Sequence, residues 1–158
     1  MSIRLKIDVQ PDEGLFAQVE ADGVSVEVTC WDYQDGLGEL LWAATSLLNC
    51  TKSAQAVAVW QLSGETWWVL DRESAEFKLR LVRFDEAQYV FQDGRFVTYY
   101  RPNSTALDTS LPFREFVEIL AKALRLVGEP TLLTYQEEAA FPSVIPRLEQ
   151  LERYLAQG

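Results

Sequence analysis

From Ile3 to Cys30 the apolar residues fall on every second position in three successive runs. Ile3, Leu5, Ile7 and Val9 alternate with Arg4, Lys6 and Asp8; Leu15, Ala17, Val19 and Ala21 resume the pattern; Val24, Val26, Val28 and Cys30 repeat it. A period of two puts successive side chains on opposite faces, so each run predicts a half-buried strand. Pro11-Asp12-Glu13-Gly14 separates the first two. Asp22-Gly23 joins the second and third, a dipeptide that tolerates the positive φ of a type I′ hairpin and so predicts antiparallel pairing.

The period then changes. Leu37, Leu40, Leu41, Ala44, Leu47 and Leu48 recur at three and four residues behind Asp35, which is placed to cap a helix. After Lys52-Ser53 the runs AVAVWQL, ETWWVLD and EFKLRLVRF read as strands again, and Asp93-Gly94 marks a second hairpin between Tyr89-Val90-Phe91 and the run from Arg95 to Tyr100. Arg101-Pro102-Asn103-Ser104-Thr105 is expected to end the β region, with a loop reaching Ser110-Leu111-Pro112. Phe113, Phe116, Val117, Leu120, Leu124 and Val127 predict a second helix stopped at Gly128-Glu129-Pro130, and Ile145, Leu148, Leu151 and Leu155 a third from about Pro142 or Pro146. The expected fold is α+β, a mainly antiparallel sheet of about six to eight strands in the order βββ-α-βββββ-αα with helices packed on one face. The absence of a repeat or long linker makes 1–158 a single expected domain.

At 48% hydrophobic and 24% charged residues, the chain can build a core and is not expected to be disordered. It has no histidine and two cysteines, which removes the usual near-neutral base and argues against a disulfide-stapled scaffold. Cys30 and Cys50 are therefore expected as thiols. MSIRLKIDVQ lacks an apolar h-region and no stretch is long enough to cross a bilayer, which predicts a cytoplasmic protein without a membrane partner.

Motifs for chemistry fail at identifiable residues. Asp35-Gly36-Leu37-Gly38-Glu39-Leu40-Leu41 opens a helix as a dinucleotide fingerprint would, but Leu41 stands where the last glycine belongs and Glu39 would repel a pyrophosphate. Asp32, Asp35 and Glu39 lack calcium-loop spacing, because Trp31 and Tyr33 occupy positions that need carboxylates. Neither cysteine has a histidine to activate it, and no G-x-S-x-G elbow occurs. No catalytic residue, metal site or cofactor is expected.

The run WDYQDGLGELLWAATSLL, residues 31–48, resembles a segment of small uncharacterised bacterial proteins in which a strand leads into a D-x-L-G-x-L-L-x-A helix. Asp35, Leu37, Gly38, Leu40, Leu41 and Ala43 carry the match. The resemblance implies a bacterial cytosolic setting and no particular activity.

What remains is charge and aromatic surface. Lys and Arg number 14 against 24 Asp and Glu, a formal charge of −10, and no basic residue occurs from Asp8 through Cys50. Such a field repels nucleic acid, despite Lys78 and Arg80 on one strand face, and favours a basic protein. Trp42 lies off the leucine stripe of its helix, and Trp67-Trp68 must face opposite sides of a strand. Trp31, Asp32, Asp35, Glu39, Trp42 and Trp67 are accordingly the candidate binding patch. The expected function is that of a non-catalytic protein-binding module, an inhibitor or immunity-type partner of a basic protein. The alternatives are a small-ligand-binding domain with a pocket between sheet and helices, and a carboxylate-dependent enzyme.

Overall fold

The computed structural model describes residues 3–10, 14–30, 36–49, 52–60, 64–84, 87–100, 104–138 and 144–158. The fold is α+β with antiparallel sheets. β1 (Arg4–Gln10), β2 (Gly14–Ala21) and β3 (Val24–Cys30) form a three-stranded sheet in sequence order. Helix α1 (Gly36–Ser46) leads to β4 (Ser53–Trp60), β5 (Gly64–Glu73) and β6 (Glu76–Phe84). Among the described residues β7 (Ala87–Gln92) and β8 (Arg95–Tyr100) pair only with each other, and β9 (Ser104–Pro112) returns to complete a second sheet of order β4-β5-β6-β9. Helices α2 (Phe113–Val127), α3 (Glu129–Glu138) and α4 (Val144–Ala156) close the chain.

All the strands expected from alternation, β1 to β8, are present, and two elements correct the sequence reading. The loop expected between Thr105 and Ser110 is strand β9, antiparallel to β6, with Leu107, Thr109 and Leu111 buried on its inner side. Gly128 does stop α2, at φ 95°, but Glu129-Pro130 starts the unexpected helix α3 rather than a loop. Proline costs nothing in a first turn, where its missing N–H would have no helical partner. Both hairpin dipeptides behave as their chemistry requires, with φ 53° and 77° at Asp22-Gly23 and 51° and 77° at Asp93-Gly94.

One buried cluster draws on both larger sheets and all the helices. Trp68, Leu70, Phe77, Leu79 and Leu81 line the inner face of the second sheet. Phe77 stacks on Phe116 at 4.3 Å between ring centres and meets Phe113 at 5.6 Å. Cys30 is buried, while Cys50 lies outside the described residues.

Candidate functional site

Helix α1 is held at both ends, which fixes what it shows to solvent. At its start Gly36 lies against the end of β3 so closely that a Cβ there would sit 2.6 Å from Cys30 Sγ, so only glycine fits without a shift. The backbone N–H of Leu37, in the first turn, donates to the Tyr135 hydroxyl at 3.2 Å. At the other end Arg147 donates to Thr45 Oγ1 at 2.8 Å, and Arg72 donates to the carbonyl of Leu47 at 2.7 Å. A cation suits that end, where unbonded carbonyls concentrate negative partial charge. Leu37, Leu40, Leu41, Ala43, Ala44 and Leu47 are buried.

The stripe left over carries Glu39, Trp42 and Ser46, and Trp42 is 53% exposed. Beside it runs a groove of about 440 Å³ lined by Trp42, Ser46, Ser53, Ala54 and Gln55, between α1 and the edge strand β4. Its hydroxyls are already used. Ser46 donates to the carbonyl of Ala43 at 2.7 Å, and Ser53 to Asp71 Oδ1 at 2.6 Å, while the other Asp71 oxygen pairs with Arg80 at 3.1 Å. The groove therefore offers an indole face, an amide side chain and a strand edge. That set can hold a polypeptide by stacking and main-chain hydrogen bonds, and it contains no nucleophile or acid–base pair.

Of the six residues expected to form the patch, the structure brings together Glu39 and Trp42. Trp31, Asp32 and Asp35 lie outside the described residues. Trp67 is elsewhere, on the outer face of the second sheet across β4, where it packs on Phe84 at 5.1 Å between ring centres and donates its indole N–H to Glu65 at 2.8 Å. Trp68 is 1% exposed and belongs to the core. Sequence reasoning missed Ser53 and Gln55. Their signal is the complete lack of charge from 53 to 64, which becomes meaningful only once β4 is known to be an edge.

Other surface hollows lie at the β2–β3 hairpin, around Arg4, Glu20 and Asp22, and on the outer face of the first sheet, around Lys6, Asp8, Phe16 and Glu27. Among the described residues no group of three or more His, Cys, Asp or Glu could hold a metal ion, and no helix is long and apolar enough to cross a membrane. No protein-family model matches the chain, and no curated protein or solved structure does so either.

Proposed function

We propose that this protein acts by binding another protein, and that the α1–β4 groove is the surface it uses. The observation that carries the reading is Trp42, exposed on a helix that Tyr135, Arg72 and Arg147 prevent from turning. Burying a large apolar side chain is worth about 1.5–3 kcal/mol, and at Trp42 that gain is left for a partner to realise. Large aromatics are also the residues on which binding energy concentrates. The formal charge of −10 and the cation-free stretch from Asp8 through Cys50 favour a basic partner, which an inhibitor or immunity-type role would supply. A small-ligand pocket between sheet and helices fits less well, because Trp68, Leu70, Phe77, Leu81 and Leu120 fill that space.

The test is parallel affinity capture from native cells with the wild-type protein and with Trp42→Ala, followed by mass spectrometry. The expected result is a basic protein recovered with the wild type and lost with the variant, whose association rate falls as salt rises. Recovery of the same proteins with both baits would overturn the reading.

A further inference from the structure

We propose that two copies of this chain associate through the β7–β8 hairpin, each laying the aromatic face of its hairpin on that of the other. The surface is separate from the α1–β4 groove. The register sets Ala87 opposite Tyr100, Tyr89 opposite Thr98 and Phe91 opposite Phe96, so these six positions share one face of the hairpin. Four of the six are aromatic and none is charged. Gln88, Gln92 and Arg95 belong to the other face, with Val90 opposite Val97.

A hairpin of two strands is marginal in water, and a third strand or a packed layer is what ordinarily secures one. Among the described residues neither strand pairs with a third, and no other helix or strand packs along the hairpin. Its tip is exposed throughout, from Phe91 to Arg95, with Phe91 at 63%. The layer that completes it is a second molecule's.

Charge identifies that molecule. The chain carries −10, and two copies meeting body to body would repel. From Ala87 to Tyr100, however, the charged residues are Asp93 and Arg95, which cancel. A six-residue strand spans roughly 20 Å, twice the Debye length of ~10 Å at 0.1 M salt. Copies joined through overlapping hairpins keep their acidic bodies about one strand length apart, where most of the repulsion is screened. Each brings the neutral apolar face that the other needs. A basic protein, by contrast, finds no carboxylate on that face. A two-fold axis between the faces closes the contact, so the product is a dimer and nothing larger. Two strands about 5 Å apart offer far less than the ~800 Å² per partner of a standard interface, so the dimer is reversible and dissociates between about 1 µM and 1 mM.

Analytical ultracentrifugation of the full chain tests the proposal. The wild type should pass from monomer to dimer as concentration rises through that range. The dimer should tighten as salt rises, because salt screens only the repulsion between the bodies. Phe91→Asp should move the midpoint to higher concentration by about tenfold or more. Gln92→Asp adds the same charge one residue along, on the other face, and should move it by less than about threefold. Circular dichroism checks that both variants keep the fold. If either does not, a benzophenone amino acid at position 91 decides, since it should cross-link one copy to positions 87–100 of an isotope-labelled second copy. Cross-links confined to a single chain overturn the proposal. So does a wild type that stays monomeric at about 1 mM, a dimer that salt weakens, an equal shift from both aspartates, or a dimer that survives replacement of residues 85–103 by an Asn-Gly turn.

Discussion

In the three-stranded sheet, alternation and burial agree except at Val24, which stands on the apolar side of β3 but is 46% exposed beside the Asp22-Gly23 turn. Ile7, Val9, Leu15, Ala17, Val19, Val26 and Val28 are buried, whereas Lys6, Asp8, Phe16 and Glu27 on the other side are exposed. The four-stranded sheet buries its inner residues equally well, from Ala54 and Ala56 to Leu107 and Leu111, but its outer face does not stay wet. Val69 there is 7% exposed and Glu65 9%, beside the Trp67–Phe84 pair, and Val69 stands outside the main core cluster. Alternation thus identifies which residues share a face. Whether that face is covered depends on what the rest of the chain lays against it.

The sharpest way to break this comparison is to charge the two faces of β5 in turn. Leu70→Asp places a carboxylate in the fully buried inner layer, at a cost of several kcal/mol against a total stability of about 5–15 kcal/mol. Thermal denaturation should show no cooperative transition. Val69→Asp, one residue away, should lower the melting temperature and keep the transition. Equal loss in both would mean that the outer face is as much core as the inner one.

Next in size is the adjacent tryptophan pair. Trp68→Ala should cost about 3–5 kcal/mol by urea denaturation, and Trp67→Ala roughly half of that. The Trp68 indole N–H is buried without a partner among the described residues, so Trp68→Phe should cost far less than alanine. Gly36→Ala probes the point where the first sheet hands over to α1. The crowding on Cys30 should cost about 1–3 kcal/mol, and a neutral result would show that the helix start can move. The smallest effect belongs to Phe16→Ser on the first sheet's wet face, expected within about 0.5 kcal/mol. A larger loss would mean that this face is covered too.

Most of the β structure is legible because strong alternation coincides with Asp-Gly turns. β9 hides because STALDTSLP offers few large apolar residues, and its inner face is completed by Thr109 between Leu107 and Leu111. α3 hides because EPTLLTYQEE buries little beyond Leu132 and Tyr135, too few to display a helical period. Trp42 could be placed off the apolar stripe from spacing alone. The importance of Ser53 and Gln55 could not, because strand order is set by long-range pairing and no local pattern records which strand ends at an edge.

The register of β6 with β9 has a consequence for chain architecture. Arg83 pairs with Ser104, so these antiparallel neighbours could in principle be joined by a tight turn. The natural chain instead inserts residues 85–103 there, and the described part of that excursion forms a hairpin paired only with itself. Residues 85–103 are thus a modular insertion in an otherwise continuous meander. Replacing them with a short Asn-Gly turn should leave the order β4-β5-β6-β9 intact, which makes this junction the natural place to graft a foreign loop or reporter.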